Sequence, residues 1–265
     1  MEILGYLAAL LIGFLLGLIG GGGSILTVPV LVYLFGIDPI PATGYSLFIV
    51  GITSAIGSIS YFKKGMVDLY TALVFGVPSV AAVFFARAYL LPAIPLEMVA
   101  PGGFVVSKGM LLMLIFAMLM LAASYSMIKK PSKIEENALV HRKFNYPLVL
   151  LEGAVVGLLT GLVGAGGGFL IIPALVVLSK LPMKDAVGTS LIIIAAKSLI
   201  GFSGEFVEST IDFVFLTQVS AMSVMGLFGG MSIAARIDGE KLKPLFGWFV
   251  LSMGLFILIK EIGYQ

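Results

Sequence analysis

The chain has 265 residues, of which 60% are hydrophobic and 11% charged, with a net charge of +2 and no cysteine. So few charges could not cover the surface of a water-soluble globule of this length, and the weak, dispersed positive charge excludes a nucleic-acid surface. The lack of cysteine excludes disulfides, thiolate metal sites and cysteine nucleophiles.

The mean hydropathy of +1.14 comes from ten apolar stretches, at roughly 3–20, 24–36, 44–62, 69–91, 108–128, 147–164, 168–180, 187–204, 213–235 and 242–260. Lipid offers no partner for a free backbone group, so these stretches are predicted as helices of an integral membrane protein. The first carries Glu2 rather than a basic region and reaches Gly20 without an Ala-x-Ala pattern. It reads as a retained transmembrane segment. Stretches 24–36 and 168–180 hold about 13 residues, or roughly 20 Å of helix, against a bilayer core of about 30 Å, so full crossing and re-entry both stay open. Leu91–Lys108, with Pro92, Pro95, Pro101 and Gly102-Gly103, reads as an irregular external loop. Lys129–Asn145, with Pro131, Glu135, Glu136 and His141, is the one convincing polar linker. The expected organisation is an N-terminal transmembrane repeat at 1–128, a cytoplasmic linker at 129–146 and a C-terminal repeat at 147–265.

The two halves match without gaps from Gly17–Asp68 to Gly161–Asp212, an offset of about 144 positions. Gly17, Gly20, Gly22 and Gly23 fall on Gly161, Gly164, Gly166 and Gly167, and Pro29 falls on Pro173. Ala42-Thr43-Gly44-Tyr45-Ser46-Leu47 meets Ala186-Val187-Gly188-Thr189-Ser190-Leu191. Apolar helices resemble one another by chance, whereas Gly, Pro and Ser matched at one offset indicate duplication.

Charge indicates the orientation of the halves. If each glycine-rich joint turns the chain back, the first two segments of each half form a hairpin whose ends share a side. Lys63, Lys64, Lys129, Lys130, Lys133, Arg142, Lys143, Lys180, Lys184, Arg236, Lys241 and Lys243, most of the 16 Lys and Arg, then lie on one face. The positive-inside rule makes that face cytoplasmic and both termini extracytoplasmic. The expected fold is therefore all-α, with two inverted five-segment repeats whose glycine-broken hairpins meet near the membrane midplane.

The breaks Gly20-Gly21-Gly22-Gly23-Ser24 and Gly164-Ala165-Gly166-Gly167-Gly168 each precede a short helix. Glycine leaves backbone N–H groups accessible, and the free N–H groups and positive dipole of a helix start favour an anion. The third segments add a stripe: Ser46, Thr53, Ser54 and Gly57, matched by Ser190, Lys197, Ser198 and Gly201, lie on one helical face. Lys197 is about ten residues, roughly 15 Å, inside its segment, where a charge is costly and marks a candidate anion partner. An ion pair with Glu152 or Glu205 is the alternative. Asp68 and Asp212 read as helix N-caps, and Arg87 and Arg236 as snorkelling anchors.

The candidate substrate-binding set is Gly20, Gly21, Gly22, Gly23, Ser24, Ser46, Thr53, Gly164, Gly166, Gly167, Gly168, Thr189, Ser190, Lys197 and Ser198. Neither glycine run is followed by the Gly-Lys-Ser/Thr of a phosphate loop, and no cofactor or metal is expected. Serine hydrolysis inside the membrane would need a base, yet the single histidine, His141, falls in the linker.

Gly-x-x-Gly-x-Gly-Gly-Gly-x-Leu-x-x-Pro at Gly161–Pro173, its near copy at Gly17–Pro29, Ala-x-Gly-Thr-Ser-Leu at Ala186–Leu191 and Val67-Asp68 resemble the sulfite exporter TauE/SafE family. The resemblance spans both halves. It implies a prokaryotic inner-membrane secondary transporter, an exporter of small sulfur-containing anions such as sulfite, sulfoacetate or other organosulfonates. The first copy departs from the pattern at Ser24 and Tyr45, where the second has Gly168 and Thr189. An anion channel, or a transporter of another small carboxylate or inorganic anion, fits the same residues. The coupling ion, proton or sodium, and pairing as a homodimer stay open.

Overall fold

The structure is a computed structural model that describes residues 2–99, 105–128, 146–164, 166–177, 181–203, 212–234, 236–237 and 239–263. The linker from Lys129 to Asn145, Lys180, Glu205 and Pro101-Gly102-Gly103 lie outside the described residues. The helices are α1 (Glu2–Ile19), α2 (Thr27–Tyr33), α3 (Pro39–Lys63), α4 (Leu69–Phe85), α5 (Leu91–Ala93), α6 (Lys108–Ile128), α7 (Tyr146–Val163), α8 (Gly168–Val177), α9 (Met183–Ser203), α10 (Phe213–Ala234) and α11 (Gly239–Gly263). Each predicted apolar stretch is helical over most of its described residues. Helix α3 starts earlier than its apolar stretch because Pro39 occupies the first turn, where its missing N–H costs nothing.

Two local features depart from the sequence reading. Leu91–Lys108 is not simply irregular: Glu97–Val99 (β1) pairs antiparallel with Val105–Ser107 (β2). The β-branched Val99, Val105 and Val106 favour this short ribbon. Between α4 and α5 the chain widens into a π turn at Ala86–Leu90. Pro92 lacks the N–H that would bond the carbonyl of Ala88, and the wider turn absorbs that loss.

Among the described residues, helices at 39–63, 69–93, 108–125, 183–203 and 213–234 are long and apolar enough to cross a membrane. Large apolar side chains face outward while several polar ones are buried within a largely apolar core, the reverse of a water-soluble surface. Leu7 and Leu11 of α1, Leu73 and Val77 of α4, Val214 and Phe228 of α10 and Trp248 of α11, 60% accessible, face outward. Ser24, Thr43, Ser46, Thr53, Ser54, Ser198, Arg87 and Lys197 are buried. A solvent that rewards this inversion is lipid.

Both breaks return the chain along the helix it came from. Gly23 packs on the backbone of Ile12 and Leu16, and the Phe35 ring reaches Gly5 and stacks edge-on with Tyr6 at 5.6 Å. Val149, near the start of α7, shares an apolar cluster with Ala174 and Leu175 of α8. The ends of the first hairpin therefore lie together, and those of the second meet in one apolar cluster.

The principal packing pairs join a helix of one half to a helix of the other. α1 runs alongside α10, with Gly13 on Ser223, Gly17 on Leu227, Gly226 on Leu10 and Gly230 on Phe14. α7 runs alongside α4 in the same way, with Gly153 on Phe75, Gly157 on Ser79 and Gly161 on Val83. Glycine at each crossing lets backbone meet backbone, the means by which helices associate tightly in lipid. In contrast α3 and α9 cross antiparallel, with Leu47 against Gly201, Gly51 against Leu199 and Gly57 against Leu191.

The turns into α4 and α10 repeat one device. Asp68 accepts from the Thr71 N–H at 3.0 Å while its own N–H donates to the Thr189 hydroxyl at 2.9 Å. Asp212 accepts from the Phe215 N–H at 3.0 Å while its N–H donates to the Tyr45 hydroxyl at 3.0 Å. Both aspartates are thus N-caps. Asp68→Ala should lower stability by about 1 kcal/mol, read as a lower Tm, with ligand affinity unchanged. An undiminished Tm with lost transport would instead make Asp68 a proton carrier.

Candidate functional site

The second break is the more strained of the two. Gly164, Gly166 and Gly167 have φ of 71°, 64° and 72°, in the left-handed region that side chains disfavour. Helix α7 closes with the Gly164 N–H on the Thr160 carbonyl at 2.9 Å, and α8 opens with the N–H groups of Leu170 and Ile171 both on the Gly167 carbonyl at 3.0 Å. The N–H groups of Gly168 and Phe169, in the first turn of α8, have no acceptor within the helix. At the first break a single left-handed residue, Gly20 with φ of 74°, leads into a buried 3-10 helix, Gly21–Leu26. Ser24 tightens it by donating to the Gly21 carbonyl at 2.6 Å.

These two breaks touch. A Cβ on Gly21 would collide with the backbone of Gly168, and one on Gly168 with that of Gly21. Gly166 packs against Ser24 and against Val50, midway along α3. Gly20 lies against Val187 of α9 and Gly164 against Thr43 of α3, so each break rests on the third segment of the opposite half.

Lys197, 1% accessible, sends its ammonium to this junction. Nζ donates to the Thr160 hydroxyl at 2.8 Å and lies against Gly167. Thr160 in turn donates to the Gly157 carbonyl at 3.2 Å. Among the described residues no carboxylate pairs with Lys197, so the ammonium meets one neutral oxygen and the open side of a glycine turn. An ammonium held in this way favours an incoming anion.

Arg87 is a second cation that the sequence reading misassigned. It is 4% accessible rather than snorkelling, and its guanidinium lies against Gly164, beside Thr43. The cause is the face it occupies: α4 packs along α7, and the π turn carries Arg87 onto the tip of that hairpin. Lys197 and Arg87 therefore stand at the two ends of one glycine turn.

The hydroxyl stripe divides. Thr53 donates to the Ile49 carbonyl at 2.7 Å and Ser190 to that of Val187 at 2.8 Å, the usual bond of a helical hydroxyl to its own backbone. Among the described residues, Ser46, Ser54 and Ser198 are buried with no hydrogen-bond partner for Oγ. Ser46 stands one turn from both Thr43 and Val50, on the face that meets Gly164 and Gly166. Thr189 is engaged at the α4 cap, about two turns from Lys197 along α9. Gly22 and Gly23 lie inside the 3-10 helix, and Ala165 lies outside the described residues. The sequence reading missed Thr160 and Arg87; a polar residue four positions before a glycine break and a basic one before Pro92 were the available signals.

Two apolar-jacketed hairpins, broken at glycines and converging on a buried cation, define a membrane protein built as transporters are. A family model described as Sulfite exporter TauE/SafE matches residues 5–257. The chain belongs to that family of membrane transporters and is not an enzyme. It is 28% identical over 256 residues to a probable membrane transporter protein of Xylella fastidiosa, covering 94% of this chain and 91% of that one. A probable membrane transporter protein of Bacillus subtilis is 27% identical, with 95% of this chain and 98% of that one covered. Another, of Methanocaldococcus jannaschii, is 26% identical over 94% of each chain. No solved structure matches.

Proposed function

We propose that the chain is a secondary transporter that exports small sulfur-containing anions, such as sulfite, sulfoacetate or other organosulfonates, across the inner membrane. The observation that carries this reading is the Lys197 ammonium at the junction of the two glycine breaks, paired with a neutral hydroxyl. A sulfite or sulfonate oxygen cluster needs several donors and a positive charge once dehydrated. Lys197, the first N–H groups of α8 and the hydroxyls of Ser46 and Ser198 supply them, with Arg87 at the far end of the turn.

Inverted repeats underlie the mechanism. The antiparallel crossing of α3 with α9, and of α6 with α11 through Met127 on Gly247 and Met120 on Gly254, supports opposite orientation of the two halves. The shared cavity bordered by Lys64, Lys184 and Ile237 supports a single basic, cytoplasmic side, with both termini outside. Cysteine at Lys184 should resist an impermeant thiol reagent in intact cells, while cysteine at Glu97 should react. Labelling of position 184 from outside would refute this topology.

Counterflow in proteoliposomes tests the function. Unlabelled sulfite or sulfoacetate inside should accelerate uptake of labelled sulfite by a transporter. Flux without such acceleration would identify a channel, and flux confined to carboxylates would overturn the substrate class.

A further inference from the structure

A cavity of about 290 Å³ lies between the ends of α1, α3 and α10 and the start of α9. Lys64 and Lys184 stand at it, both exposed, and its remaining lining is Tyr61 and apolar side chains that include Leu18, Val187 and Met231. Among the described residues no carboxylate belongs to the lining. Val187 also packs on Gly20, so one wall of the cavity rests against the first glycine break. Its volume approaches the ~300–1,000 Å³ of sites for organic ligands and far exceeds the needs of a four-atom oxyanion.

Several of the same positions in the other half are closed, while the counterparts of Tyr61, Lys64 and Met66 lie outside the described residues. At the repeat offset Leu18, Lys184 and Ala234 correspond to Leu162, Ile40 and Leu90. Those three pack in one apolar cluster with Leu91 and Leu112. Met231 corresponds to Arg87, which is buried against Gly164. One end of the molecule thus holds a basic, apolar-walled chamber where the described counterpart positions are packed.

We propose that this chamber is a second anion site, specific for organic anions with an unbranched apolar body, at the basic-side mouth of the path to Gly20. It rests on the transporter reading and adds to it a selectivity that the central site lacks. The two ammonium groups hold the anionic head. The flexible Met231, with Met66 and Met183, accommodates tails of different length.

Calorimetric titration of purified protein in nanodiscs tests it, with sulfite, methanesulfonate, propanesulfonate and hexanesulfonate as probes. Affinity should rise along the alkyl series by up to about fourfold per methylene. Lys64→Gln with Lys184→Gln should weaken hexanesulfonate about tenfold and leave sulfite unchanged; both lysines are exposed, so folding is not at risk. Lys197→Met should do the reverse. A flat alkyl series, or hexanesulfonate binding untouched by the double substitution, overturns the second site while the response of sulfite to Lys197→Met still judges the central one. Hexanesulfonate affinity should be equal in zwitterionic and anionic nanodiscs. A fall that tracks the fraction of anionic lipid would give the chamber to a lipid headgroup and overturn the assignment.

Discussion

Gly168→Val should abolish transport and destabilise the protein by more than about 2 kcal/mol, through overpacking where nothing can yield. Its Cβ would collide with the backbone of Gly21, and neither chain can withdraw because each break is seated on a third segment. Gly21→Val should act the same way from the other side. Gly36→Ala is the control: its φ is 70° but nothing lies within 4 Å of an added Cβ. That substitution should cost roughly 1–2 kcal/mol of backbone strain and leave flux intact. Wild-type flux in a folded Gly168→Val protein would remove the junction from the transport path.

Lys197→Met should weaken sulfite binding by about 1.5–3 kcal/mol, the range of a charge-assisted hydrogen bond, or roughly ten- to a hundredfold in Kd. The same change should not lower the melting temperature. An ammonium at 1% accessibility with one neutral partner among the described residues is a cost to the fold, and methionine keeps most of its stem. Had the lysine held a structural ion pair, the outcome would invert, with lost stability and unchanged affinity. Measuring both on one purified variant separates the two, and unchanged affinity would remove Lys197 from the site.

Much of this architecture was legible because lipid imposes simple rules. Helix positions followed from uninterrupted apolar runs, since a backbone in lipid has no other way to bond. The breaks followed from glycines repeated at one offset, and the caps at Asp68 and Asp212 from their place before apolar runs. What stayed hidden depends on rotation about a helix axis. Arg87 near a helix end looks like an anchor, and only the packing of α4 on α7 turns it inward. Thr189 and Ser190 are neighbours in sequence, yet one hydroxyl serves a cap on α4 and the other its own helix. The two breaks look alike as strings, but three left-handed glycines make one an open turn, whereas the Ser24 hydroxyl helps wind the other into a 3-10 helix.

The glycine seams that join α1 to α10 and α7 to α4 mean that neither half is complete alone. Each lends its first helix to the fourth helix of the other, as two hands clasp, and a half expressed by itself would leave both seam faces uncovered in lipid. Genetic division at the polar linker therefore yields fragments that are obligate partners rather than independent domains.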